Sequence, residues 1–308
     1  MSVDLRAAAA DYLAIRRSRG YRLADHDWLL AAFLDGLDAR GLSTISIADA
    51  MAFAANRPET QRSWQAARLR AVRGLAAHVH AIDPAAAQLI PAGLITAKIT
   101  RRIPYLYSDD QIARLMSRTA CLTPALFAAS MHTLIGLIAA TGLRSGEAGA
   151  LDVEDLDVDR SVLTVTGKYG KRRLIPLHPT TLQALTDYQQ ERSRRAAPTG
   201  PLLLGAKGRR LNLTNARATF RVLVEDCRLP ARPGAPTPRL HDLRHVFAVN
   251  SLIDAHRQGV DVDARIAALA TYLGHVSPAN TYWYLTTSPE LMTLVRDRVS
   301  ARHERGRR

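Results

Sequence analysis

The spacing of apolar and polar positions changes character twice along the 308 residues. Up to about residue 100, Ala and Leu recur at helical intervals, with breaks near Gly20, Gly41, Pro58 and Pro84. Pro91–Pro104 then mixes Pro, Gly, Thr and basic residues, the composition of a linker. A new helix is predicted from Ser108, whose hydroxyl suits a cap and whose followers Asp109 and Asp110 suit the positive helix end. Met131–Ala140 is the most apolar stretch and reads as a buried core helix. Between Asp152 and His178 the period shortens. Ser161–Thr166 and Arg172–Leu177 are β-rich runs, and Gly167-Lys168-Tyr169-Gly170 between them reads as a hairpin turn. Helical spacing returns after His178, interrupted by the proline loop Pro230–Pro238. The pattern predicts a mainly α chain in two domains. A helical domain covers 1–103, with the linker near 91–104. An α-rich domain with a small antiparallel β-sheet covers 104–308.

Charge narrows the partners. Lys and Arg total 42 against 28 Asp and Glu, a net charge of +14. Such an excess fits a polyanion, most often nucleic acid, or simply a basic surface. Within Glu59–His80, Arg62, Arg70 and Arg73 share one arc of a helix whose apolar residues Leu69, Val72 and Leu75 lie mostly elsewhere. That stripe suits either contact with DNA phosphates or a solvated face. The two cysteines, Cys121 and Cys227, lie far apart and form neither a disulfide framework nor a metal cluster, which fits a cytoplasmic protein. No apolar run approaches membrane-spanning length.

Four segments carry candidate chemistry. They are Ala140-Thr-Gly-Leu-Arg144-Ser-Gly-Glu147, the hairpin Gly167-Lys168, His241-Asp-Leu-Arg244-His245, and Leu273-Gly-His275 followed nine residues later by Tyr284. Each residue alone has an ordinary use. Arg144 could pair with Glu147 on a surface, Lys168 could sit in a turn, His241 could cap a helix, and Tyr284 could pack in a core. Together they suit attack on a phosphodiester without a metal. Arginine offers a planar fork for two phosphate oxygens and holds charge that builds in the transition state. A phenol needs a cationic setting or a base to become a nucleophile. A lysine can protonate the leaving oxygen.

In order and spacing these segments resemble the tyrosine recombinase, or phage integrase, family. ATGLRSGE resembles the first arginine box, matching Arg144 with Glu147 as its buttress. TGKYGKRRLIPL resembles the hairpin with the general-acid lysine, matching Lys168. Tyr169 stands where the family often has a second glycine, and Lys171 lies close enough to compete for that role. HDLRH supplies His241 and Arg244, and LGH supplies His275. Tyr284 matches the nucleophile. Tyr282 lies nearby but would point roughly 200° away on a helix. The resemblance spans about 105–290. It implies a helical core-binding domain at the N-terminus and a catalytic domain after it. It also implies double-stranded DNA as substrate, a homotetramer on two paired sites, and a 3′-phosphotyrosine intermediate that needs no metal or cofactor. The ending TYWYL leans toward mobile-element recombinases acting in integration, excision or transposition.

Other readings exist. Resolution of chromosome or plasmid dimers by a Xer-like enzyme uses the same chemistry, as does a type IB topoisomerase. A non-catalytic DNA-binding protein of the same fold would not need every active-site position filled. HDLRH also imitates a zinc-hydrolase motif, with His241 and His245 as ligands, although Arg244 beside them would oppose a cation. Near the C-terminus, Ser288-Pro289-Glu290 reads as a helix start. Its stripe of Leu291, Leu294, Val295 and Val299 would dock on its own domain or on a neighbouring subunit.

Overall fold

The computed structural model describes residues 3–21, 23, 25–56, 61–97, 103–167, 170–229, 237–274, 290–294 and 296. The chain divides into two compact units, Met1–Arg101 and Arg102–Arg308.

The first unit is helical: α1 (Leu5–Ser18), α2 (His26–Asp38), α3 (Ile47–Ala55) and α4 (Arg62–Ile82). Local chemistry sets several ends. Asp4 caps α1 by accepting from the amides of Arg6 and Ala7, and Ser46 caps α3 through the Asp49 amide. The core joins Leu30, Phe33, Leu34 and Leu37 of α2 to Leu69, Val72, Leu75 and Val79 of α4. Full burial of each such side chain stabilises by about 1.5–3 kcal/mol. Gly74 lets α1 approach α4 closely, since a Cβ there would lie 2.1 Å from the Tyr12 hydroxyl oxygen.

The second unit holds α5 (Asp109–Arg118), α6 (Ala125–Thr141), α7 (Ser145–Ala150), α8 (Pro179–Ser193), α9 (Leu213–Asp226), α10 (Asp242–Arg257) and α11 (Val262–Leu273). The expected capping at Ser108 is present. Its hydroxyl accepts from the Gln111 amide, and the Gln111 side chain accepts from the Ser108 amide. The apolar stretch from Met131 forms most of α6, which packs against α5, α8 and α10. Leu134, Ile135 and Ile138 of α6 are fully buried. A second cluster joins α10 and α11, and Leu291 is buried in it. The described part of the C-terminal helix therefore packs on its own unit, with Arg257 pairing Glu290 at 2.7 Å.

The sheet is antiparallel in the order β1 (Leu156–Asp157), β2 (Val162–Thr166), β3 (Arg172–Pro176). Leu163 pairs with Ile175 and Val165 with Arg173. Leu163, Val165 and Ile175 are buried, so side-chain alternation puts Arg173 on the inward face of β3. Ser161, expected in the strand, instead adopts a positive φ of 53° in the turn before it.

Two helices that lead into the candidate site end on left-handed glycines. Gly142 closes α6 at φ 63° and Gly274 closes α11 at φ 66°. Gly142 is also pressed by Phe247, whose Cδ1 would lie 2.4 Å from a Cβ at that position. Gly142→Ala should therefore destabilise the protein by at least about 1–2 kcal/mol, the cost of the left-handed backbone alone. Gly146→Ala, in α7 with open space around it, should be neutral or stabilising by up to about 1 kcal/mol. Urea unfolding midpoints of the two variants check the contrast; equal midpoints would show that Gly142 is not constrained.

Candidate active site

Three of the six expected catalytic positions fall on described residues: Arg144, His241 and Arg244. Lys168, His275 and Tyr284 lie outside them, as does Tyr282. The site is built where the Gly142 turn, strand β3, the start of α10 and the end of α11 meet.

Arg144 stands at the N-cap of α7, just after Gly142. Its amide donates to Glu147 Oε2 at 3.0 Å, and its guanidinium donates to Glu147 Oε1 at 2.8 Å and to the Gly274 carbonyl at 3.1 Å. About a third of its side chain remains exposed. A guanidinium carries five N–H donors, so these bonds do not exhaust it. Arg244, in α10, is buried. It donates to the carbonyls of Gly142 at 2.7 Å and Leu273 at 2.8 Å, and lies 3.9 Å from Glu147 Oε2.

Sequence reading missed a third arginine. Arg173 grips Glu147 with both ends of its fork, Nη1 to Oε1 at 3.1 Å and Nη2 to Oε2 at 2.8 Å. Its Nε donates to the Tyr272 carbonyl at 2.9 Å. The signal was present: Arg173 shares strand parity with Ile175 and Leu177, and an inward-facing cation in a strand requires a buried anion. Together, Arg173, Arg244 and Arg144 take the successive carbonyls of Tyr272, Leu273 and Gly274. These lie at the C-terminal end of α11, where carbonyls lack helical partners and the dipole favours cations.

Glu147 is the matching anion. Burial raises its pKa, but Arg173, the Arg144 amide and the Arg144 guanidinium outweigh that and bring it down to about 2. It is charged throughout the neutral range.

His241 occupies the N-cap position of α10, but its side chain makes no capping bond. The start of α10 is fixed instead by buried Asp242, which accepts from the Arg239 amide at 2.9 Å and the Arg239 guanidinium at 2.8 Å. His241 keeps an exposed edge. Desolvation of its ring, and then the nearby Arg244, lower its pKa from the usual 6.5; Arg144 contributes in the same direction. Its ring meets that of His245 edge-to-face at 5.1 Å. Asp242, the position a zinc hydrolase would use as its base, is fully buried and committed to Arg239. Among the described residues, no group of three or more His, Cys, Asp and Glu is placed to hold a metal.

In the first unit, Arg62 and Arg70 on α4 are exposed and Arg73 is half-buried. Arg62 donates to the Thr96 carbonyl at 3.2 Å. Arg68, between them in sequence, is buried with its guanidinium 4.1 Å from the centre of the Phe53 ring. No described helix is long and apolar enough to cross a membrane.

The chain resembles known proteins over nearly its full length. It is 38% identical to y4rB of Sinorhizobium fredii over 97% of this chain and 98% of that one; the name of y4rB carries a provisional integrase/recombinase assignment. It is 29% identical to the tyrosine recombinase XerC of Mycobacterium tuberculosis, over 95% and 97% of the two chains. In fold it resembles the Tn1549 transposon integrase in complex with transposon right end DNA (TM-score 0.63, 17% identity, 96% and 98% of the chains). It also resembles a lambda integrase dimer bound to a core site (TM-score 0.59, 19% identity, 93% and 78%). Residues 106–290 match the Phage integrase family. The chain therefore belongs to the phage integrase family and is a tyrosine-type site-specific recombinase, an enzyme that cleaves and rejoins DNA strands.

Proposed function

We propose that this recombinase moves a mobile element, by integration, excision or transposition, through a 3′-phosphotyrosine at Tyr284. The observation that carries the site assignment is the convergence of Arg144 and Arg244 on the carbonyls at the end of α11, one residue before His275 in the chain, with His241, its pKa lowered by desolvation, near enough to both for their charge to lower it further. In this reading Tyr284 attacks the scissile phosphate. Arg144 and Arg244 hold its non-bridging oxygens and the charge that builds on them. His241 and His275 support that charge and the proton movements, and Lys168 protonates the departing 5′ oxygen. The covalent link conserves the energy of the phosphodiester, so rejoining needs no cofactor. The first unit serves as the core-binding domain, with Arg62, Arg70 and Arg73 toward duplex phosphates. A homotetramer holds two sites. The named similarity to an S. fredii integrase/recombinase supports the mobile-element role. The XerC similarity favours a second reading, dimer resolution. Exchange confined to the ends of one element supports the first; exchange at a single chromosomal site supports the second.

A nicked suicide duplex that traps the covalent complex tests the nucleophile. Tyr284→Phe should bind DNA but form no adduct, because only the phenol oxygen is lost. Tyr282→Phe should keep the adduct; the reverse pattern would move the nucleophile to Tyr282.

The same assay tests the arginines. Arg144→Ala should slow cleavage by about 100-fold or more, since one lost transition-state donor costs about 2.7–4 kcal/mol. Half-site binding should fall far less, because many other phosphate contacts remain. Arg244→Ala should match it and also lower stability, as the Gly142 and Leu273 carbonyls lose their donor. Equal losses in binding and cleavage would reduce both arginines to docking contacts.

A substrate with a 5′-bridging sulfur tests the acid, because a thiolate leaves without protonation. It should rescue Lys168→Ala. Rescue of Lys171→Ala instead would give that role to Lys171.

A further inference from the structure

We propose that Arg173 is a positioning residue for strand cleavage: it clamps Glu147 against Arg144 and ties strand β3 to the end of α11, without itself touching DNA. The proposal rests on the reading of Arg144 as a phosphate donor.

The geometry is specific. Both oxygens of Glu147 are used twice, each by one bond from Arg144 and one from Arg173. Without Arg173, the carboxylate keeps Arg144 and the more distant Arg244 at 3.9 Å, and no other described residue of the sheet holds its rotation. The third Arg173 bond, Nε to the Tyr272 carbonyl, reaches the backbone two residues before Gly274. Gly274 in turn accepts from Arg144. Arg173 thus meets Arg144 by two routes, through a side chain and through the main chain. Gly274 makes room for it: a Cβ there would lie 3.2 Å from Arg173 Nη1. The Arg173 side chain is only 17% exposed and spends its fork on protein groups, which leaves Arg144 as the more exposed member of the pair. A lysine would supply the charge but not a planar fork that spans two oxygens and a carbonyl.

Among the described residues, the charged groups facing Glu147 are Arg144 from the start of α7, Arg173 from β3 and Arg244 from α10. Tyr272 of α11 lies beside Arg173, with its phenol pushed up by burial to about 12, so it stays neutral. Arg173 makes the strongest contact holding the Glu147 carboxyl down. Its loss leaves burial opposed by less positive charge, and the carboxyl rises from about 2. Glu147 would then take up a proton, and release its grip on Arg144, at a higher pH than in the wild type.

The test is single-turnover adduct formation on the suicide duplex, measured across pH, for Arg173→Gln, Arg173→Lys, Glu147→Gln and the Arg173→Gln/Glu147→Gln double variant. Arg173→Gln should slow adduct formation by about 100-fold, the scale of a small misplacement of a reacting group. Half-site affinity should stay close to wild type. Arg173→Lys should recover only part of the rate. The acid side of the Arg173→Gln profile should shift to higher pH, and that shift should vanish in the double variant, which has no carboxyl to titrate. The double variant should lose little more than either single one, because the two residues act as one unit. His241 titrates in every variant, so its contribution cancels in the comparison. Wild-type rate and profile in Arg173→Gln, with Arg144→Ala still inactive, would overturn the positioning role while leaving the Arg144 reading intact. Parallel loss of binding and cleavage in both Arg173→Gln and Arg173→Lys would also overturn it, by assigning Arg173 to DNA contact or to the fold. An active Arg144→Ala would instead remove the reading on which the proposal rests.

Discussion

A buried carboxylate shared between arginines organises the candidate active site. Glu147 is only 8% exposed, and an anion so placed is costly unless charge and hydrogen bonds compensate it. Compensation comes from two directions. Arg144 wraps back from the start of α7, and Arg173 reaches in from the sheet. The contact therefore fixes a short helix against a strand and sets the orientation of the arginine that remains partly open to solvent. A hydrophobic residue at 147 would fill the same space but would give neither arginine a direction.

The second organising feature is the end of α11. Helix termini leave carbonyls unpaired, and here three in succession are taken by arginines from three separate elements. The backbone that leads toward His275 is held by the cations of the site itself. Gly142 and Gly274 permit this because their left-handed backbones turn the chain where side chains would collide. The chemistry of the site and the turns that frame it share the same atoms.

Local features were legible in the sequence. The Ser108 cap, the apolar α6, the hairpin strands and the Arg144–Glu147 pair all depend on neighbours within a few positions or on a regular period, and each is present. What stayed hidden depends on contacts between distant segments. Arg173 meets Tyr272, 99 positions away, and Arg244 meets Gly142, 102 away. Arg68, in the same helix as Arg62, Arg70 and Arg73, lies buried at the Phe53 ring, a contact between helices that local spacing does not encode. For the C-terminal helix the apolar stripe fitted either a partner or its own domain, because a stripe encodes a face and not what covers it. The burial of Leu291 against α10 and α11 supplies what the pattern lacked for the segment 290–294.

Glu147 draws cations from three separate segments of the chain. Among the described residues, Arg144, Arg173 and Arg244 gather around this one carboxylate, and Arg144 is the most exposed of the three. Backbone carbonyls add dipoles that favour these cations. An anion bound beside the partly exposed Arg144 would by linkage make the fold harder to undo. Anion binding at Arg144 and conformational stability then draw on the same arginines.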